Sequence, residues 1–140
     1  MSMASSNLLL SVENLKIRVG DDGPLAVDDL SFSVAPGEIV ALVGESGSGK
    51  TMAARAAIGL LPPPMQVCGG RLEFQGRELG TLDTAGLRAI RGASIGMVFQ
   101  EPMVSLNPAL KIGQQMSEAL QLHTDLDAGQ IRESCLTMLR

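Results

Sequence analysis

Residues 39–51 read IVALVGESGSGKT, an apolar run followed at once by a stretch dominated by glycine and serine. The run Ile39 to Val43 has no polar alternation, which is the pattern of a strand covered on both faces, as in a parallel sheet. Gly44 to Thr51 then fits GxxxxGK[ST], with Gly44, Gly49, Lys50 and Thr51 at the required spacing. A polyphosphate brings several negative charges that must be held without covalent chemistry. Backbone N–H groups do this when several point inward together, and glycine lets the chain wrap that tightly. The next stretch, TMAARAAIGLL, is rich in strong helix formers and runs up to Pro62-Pro63-Pro64. A helix starting near Lys50 adds its unpaired N-terminal N–H groups and the positive end of its dipole. Lys50 can then reach the β- and γ-phosphates, and the Thr51 hydroxyl suits Mg²⁺. For average composition the bare pattern arises by accident about once in a hundred chains of this length. The strand before it and the Ala-rich helix after it supply the context the mechanism needs, so the loop is read as a phosphate cradle.

Outward from the loop, residues 8–34 read as strands. Leu30, Phe32 and Val34 alternate with Ser31 and Ser33, one face buried and one wet. Pro36-Gly37 makes a turn. On the other side, RLEFQGREL reads as a small hairpin turning near Gln75-Gly76, and SIGMVF (94–99) as a second buried strand. From Asn107 the period changes: Ile112, Met116, Ala119 and Leu120 fall on one helix face, and Ile131, Cys135 and Met138 continue in a last helix. Asp127 and Gln130 are placed for a capping box at its start.

Composition narrows the functions available. The 140 residues are 45% apolar and 19% charged, a globular balance with room for one modest core. The net charge is −4 with no basic stripe, which argues against nucleic acid as a partner. There are three Phe, no Tyr and no Trp, so aromatic stacking has almost no residues to use. Cys68 and Cys135 are isolated and His123 is the single histidine, which argues against a zinc site and fits a reduced compartment. The N-terminus lacks a basic n-region, and no apolar run approaches the ~18 residues of a membrane span.

Together, LSFSVAPGEIVALVGESGSGKT and GMVFQEPMVSLNP closely resemble the ATP-binding subunits of ABC transporters, in the branch of oligopeptide, dipeptide and nickel importers that includes glutathione importers. The resemblance covers essentially the whole chain. It implies an α/β, P-loop NTPase-like nucleotide-binding domain: an N-terminal antiparallel β part, an incomplete parallel core sheet and the start of a helical subdomain. The ATP-binding core would occupy residues 1–106, and the helical subdomain would begin at 107–140. Gly44, Glu45, Ser46, Gly47, Ser48, Gly49, Lys50 and Thr51 would form the Walker A loop, with Met52 adding a backbone N–H at the α-phosphate. Gln100 would be the Q-loop glutamine, touching Mg²⁺ and the attacking water and sensing a transmembrane partner. Val19 stands where the family usually has an aromatic that stacks on adenine, a departure that removes about 1 kcal/mol of stacking.

The resemblance further implies ATP and Mg²⁺ as cofactors and permease subunits as partners. It also implies a second ATP-binding subunit and a peripheral place on the cytoplasmic face of the inner or plasma membrane. The cargo, whether peptide or another small solute, is not read by these residues. No LSGGQ run, no apolar strand ending in Asp-Glu and no switch histidine occur in the 140 residues. Glu101 reads as a loop residue. Lys50 and Gln100 would be the catalytic residues present, Lys50 on the phosphates and Gln100 on Mg²⁺ and the attacking water. The chain is expected to hold ATP without hydrolysing it alone, as the N-terminal part of a longer ATPase. A non-catalytic module that pairs with a full-length ATPase subunit is the alternative; a nucleotide kinase would carry its loop nearer the N-terminus. In the family sheet, strands from outside these residues separate the P-loop strand from the Q-loop strand. Ile39–Val43 and Ser94–Phe99 are thus expected to show unpaired edges and exposed apolar faces.

Overall fold

The computed structural model describes residues 8–100 and 106–140. Glu101 and the rest of the stretch up to Ser105 lie outside the described residues. The chain divides into two compact units, Met1–Leu87 and Arg88–Arg140.

The first unit is built on an antiparallel sheet. Strand β1 (Leu10–Val19) pairs with β2 (Leu25–Val34) on one side and with β3 (Met65–Phe74) on the other, and β3 continues to the short β4 (Arg77–Glu78). The β1–β2 and β1–β3 registers each shift along their length. The main shift in β1–β3 sets Asn14 and Leu15 opposite Gly70 alone, a bulge in β1. Gly70 has φ +86°, and a Cβ there would lie 2.4 Å from the Asn14 carbonyl oxygen. Only glycine allows that approach. Asn14 and Asp29 both take positive φ, and the Asn14 side chain donates to Asp29 Oδ1 at 2.7 Å. The β3–β4 turn is Gln75-Gly76 with φ of +49° and +76°, the twist-matched two-residue turn that closes hairpins. It stands where the sequence places it.

The sheet's inner face carries Val12, Leu15, Ile17, Val27, Leu72 and Phe74, all buried. Helix α1 (Lys50–Ala57) lies against β1 and β2 and buries Ala53, Ala56 and Ala57. Small side chains let it approach closely. Its stop differs from the expected one. Gly59, at φ +62°, donates to the Ala56 carbonyl at 2.9 Å and Leu60 donates to the Arg55 carbonyl at 2.8 Å. That glycine closure ends the helix before Pro62 is reached. A short 3₁₀ turn (Leu79–Thr81) precedes helix α2 (Thr84–Ile90).

In the second unit, helices α3 (Ile112–His123) and α4 (Ala128–Met138) pair with each other. Gln115 holds the approach to α3, accepting from the Asn107 N–H at 2.8 Å and donating to the Asn107 and Leu110 carbonyls. Asp127 Oδ1 accepts from the Gly129 and Gln130 N–H groups at 2.8 and 2.9 Å, and Gln130 Oε1 accepts from the Asp127 N–H at 3.0 Å. This is the capping box read from the sequence.

The two runs read as buried strands form no ladder. Neither Ile39–Val43 nor Ser94–Phe99 belongs to a strand; among the described residues of the second unit the β pairing is an isolated parallel bridge between Arg91 and Ile95. Ile39 is 96% exposed, Val43 93% and Val98 95%. The antiparallel part and helices agree with the expected fold, whereas the parallel part contributes no paired strand among the described residues. The reason is the one drawn from the resemblance. Without strand neighbours on their edges these runs form no ladder, and Ile39, Val43 and Val98 are left facing water.

Candidate phosphate-binding site

The loop Gly44–Gly49 leaves the extended segment Ile39–Val43 and feeds directly into α1. Gly49 is its pivot. At φ +84° it sits so close to β2 that a Cβ would lie 2.5 Å from the Ala26 carbonyl oxygen and 2.7 Å from Val27 Cγ2. The end of the loop therefore rests on the sheet, although the segment entering it pairs with no strand. Gly47, at φ +85°, needs glycine for its backbone conformation alone, since the space around it is open.

Lys50, the first residue of α1, folds back over the loop. Its ammonium donates to the Gly44 carbonyl at 2.7 Å, the Glu45 carbonyl at 2.6 Å and Ser48 Oγ at 3.1 Å. An ammonium has three protons, and each has an acceptor here. Ser48 N–H donates back to the Glu45 carbonyl at 3.2 Å. No side chain caps the start of α1 and no acidic residue lies in its first turn. Its positive end is left clear for an anion.

Gly47, Ser48, Gly49, Lys50, Thr51 and Met52 line a cavity of about 290 Å³ together with Ala26 of β2 and Met65 of β3. Of the loop residues expected from the sequence, Gly47 to Met52 line this cavity, while Gly44 and Glu45 meet it through their carbonyls on the Lys50 ammonium. Thr51 is exposed on the first turn of α1, where its hydroxyl can add one oxygen to a cation's shell. No group of three or more His, Cys, Asp or Glu able to hold a metal occurs among the described residues. The donor set fits a Mg²⁺ carried mainly by phosphate oxygens and water, not one held by a protein cage.

Val19 ends β1 and is directly opposite Met65 in the β1–β3 register. Gln100 belongs to the second unit, where it is exposed in a bend. Ala26 and Met65 were not visible as site residues in the sequence. Met65 follows the Pro62–Pro64 run with no motif of its own, and only strand pairing brings it to the cavity.

A separate feature of the second unit is an apolar groove of about 610 Å³ along α3 and α4, lined by Ile112, Met116, Ile131, Cys135, Leu136 and Leu139 among others. No helix among the described residues is long and apolar enough to cross a membrane.

A glycine loop that ends on a sheet backbone and opens a helix, with a lysine at the helix start, defines a phosphate-loop protein. The ABC transporter family profile matches residues 27–138. The chain belongs to that family. Among curated relatives, it is 43% identical to a peptidoglycan transport ATP-binding protein of Agrobacterium fabrum over 99% of this chain and 26% of that one. It is 44% identical to a putative peptide import ATP-binding protein of Brucella abortus, over 94% of this chain and 40% of that one. It is 39% identical to the dipeptide transport ATP-binding protein DppD of Escherichia coli, over 94% of this chain and 41% of that one. The chain thus spans well under half the length of these relatives. Among solved structures, the dimeric ATP-binding cassette MJ0796 bound to ADP and Pi superposes with a TM-score of 0.78 at 23% identity, over 93% of this chain and 55% of that one. The protein cbiO1 of Clostridium perfringens gives 0.69 at 25% identity, over 95% and 49%.

Proposed function

We propose that this chain binds ATP with Mg²⁺ through Gly44–Met52, as the phosphate-holding part of an ATP-binding subunit that drives import of peptides or related small solutes. The observation that carries this is the Lys50 ammonium held on the Gly44 and Glu45 carbonyls inside a glycine loop. A polyphosphate entering the cavity gives that ammonium stronger, charged acceptors in place of neutral carbonyls. The loop's N–H groups and the start of α1 supply further donors, and Thr51 adds its hydroxyl to the shell of the incoming Mg²⁺. Thr51 and, by the family resemblance, Gln100 are the residues that would hold Mg²⁺ and the attacking water, and the metal would supply positive charge against the phosphates.

The transport reading draws on the relatives, whose names refer to peptide, dipeptide and peptidoglycan transport. In that setting the partners are permease subunits and a second ATP-binding subunit, at the cytoplasmic face of a membrane. The apolar faces at Ile39–Val43 and Ser94–Phe99 would be covered by further strands of the same domain. ATP hydrolysis is not assigned to these 140 residues alone, because no Asp-Glu strand end, LSGGQ run or switch histidine is among them.

Equilibrium titration of the purified chain with Mg-ATP, beside Lys50→Ala, tests the proposal. Saturable binding that falls at least ten-fold in the variant is expected, since the lost ammonium made charge-assisted bonds worth about 1.5–3 kcal/mol. Equal affinity in both proteins removes the cradle assignment.

A further inference from the structure

We propose that the Ser48 hydroxyl is a latch on the phosphate loop: it holds the Lys50 ammonium in a bond within the loop and so competes with the incoming phosphate. The inference rests on the nucleotide reading above and adds to it a side chain that opposes binding. The Ser48 backbone belongs to the cradle, while its hydroxyl sets the affinity of the cradle below what the same loop reaches without it.

The latch is visible in how the side chain lies. A Cβ on Gly44 would be 2.7 Å from Ser48 Oγ and 3.5 Å from Ser48 Cβ. Gly44 does not take a left-handed φ, so it is Ser48 Oγ, not the backbone, that stands where a side chain would be. The hydroxyl is therefore folded inward across the loop. From there it accepts from the Lys50 ammonium at 3.1 Å, beside the Gly44 and Glu45 carbonyls at 2.7 and 2.6 Å. The Glu45 carbonyl also receives the Ser48 N–H at 3.2 Å. Two donors that a phosphate would use, an ammonium and a backbone N–H, are thus turned onto the loop's own oxygens.

An ammonium has three protons, so a phosphate oxygen gains one only when a loop acceptor gives it up. Two of the three acceptors are main-chain carbonyls, which remain whatever the side chains are. Ser48 Oγ is the third. Its bond is the longest of the three, and it is the one that a side chain supplies. With that oxygen removed, one ammonium proton loses its loop acceptor and turns to phosphate, while the two carbonyls still hold the amine at the cavity. The fraction of loops ready for a ligand then rises, and the apparent affinity rises by the same factor. The hydroxyl acts on the loop before a ligand arrives, so its effect belongs to association and not to release.

The test is equilibrium and stopped-flow binding of Mg-ATP and Mg-tripolyphosphate to the full 140-residue chain, to Ser48→Ala, to Lys50→Ala and to the double variant. Ser48→Ala should bind both ligands roughly two- to ten-fold more tightly, the effect of one hydrogen bond lost from the competing arrangement. The gain should lie in the association rate, with dissociation unchanged. It should vanish in the Lys50→Ala background, measured at raised ligand concentration, because the latch acts through the ammonium. A gain in affinity does not arise from a loop that fails to fold. Weaker binding by Ser48→Ala overturns the proposal, since the hydroxyl would then hold phosphate. Unchanged affinity overturns it too, as does a gain carried by slower dissociation or one that persists without Lys50. In each of these cases a loss of tripolyphosphate binding in Lys50→Ala leaves the phosphate reading standing. Equal binding by the unaltered chain and Lys50→Ala, or binding by neither, removes both.

Discussion

Strand β1 and the segment Ile39–Val43 make an instructive pair. The second is apolar at every position, yet Ile39 and Val43 are among the most exposed large side chains of the molecule. The first interleaves Glu13, Asn14, Lys16 and Arg18 with its apolar residues, yet Val12, Leu15 and Ile17 are the most deeply buried. The difference lies in the neighbours. β1 is hydrogen-bonded on both edges and covered by α1, while Ile39–Val43 has no ladder on either edge. Hydrophobicity says what a segment would gain from burial, and the rest of the fold decides whether burial is available.

Substitutions of similar size in the two segments should therefore differ sharply. Leu15→Ala empties a fully enclosed site and should cost about 2–5 kcal/mol, read as a lower urea midpoint. Val43→Ala removes side-chain atoms that already face water and should stay within about 0.5 kcal/mol. Equal losses at the two positions would break the comparison and mean that the second segment is covered in solution.

A cap belongs between these extremes. Asp127→Ala removes the acceptor of two N–H groups at the start of α4 and should destabilise the second unit by about 1 kcal/mol, visible as reduced helicity on heating. Restoration by Asp127→Asn would confirm that the cap, not the charge, carries the effect.

The smallest effect is electrostatic. Lys16 donates to Asp28 Oδ1 at 2.7 Å across β1 and β2, and this bond, with the attraction of the Asp28 charge, holds the ammonium above its ordinary pKa of about 10.5. A raised lysine stabilises the fold below its ordinary pKa and loses that contribution as pH climbs through the raised value. The pair is open to water, so the contribution is slight. Comparing thermal unfolding at pH 8 and pH 11 should show a slightly larger drop for the unaltered chain than for Asp28→Asn; an identical drop would mean that the pair contributes nothing.

These contrasts also explain what the sequence could disclose. The glycine loop, the Gln75-Gly76 turn and the Asp127–Gln130 box were legible because each is closed by bonds within a few residues. The start of β3 at Met65, six residues before the Arg71 at which the hairpin reading begins, was not. Its pairing comes from β1 across the Asn14 bulge, and Gly69-Gly70 reads locally as a break. Helix α1 was placed correctly, but its stop was assigned to proline because the Gly59 closure depends on two specific backbone bonds. IVALV read as a buried strand because its composition is that of one. The cradle was legible and Met65 was not, since Met65 reaches the cavity only through strand register.

The central claim is that the phosphate cradle is seated by β2 and α1 even though the segment leading into it is unpaired. Amide hydrogen exchange of the chain, without and with saturating Mg-ATP, tests this most directly. The account predicts slow exchange in β1 throughout, fast exchange at Ile39–Val43 without nucleotide, and a marked slowing at Gly47–Met52 when Mg-ATP is added. Protection of Ile39–Val43 equal to that of β1 in the free chain, or no change at Gly47–Met52 with nucleotide, would contradict it.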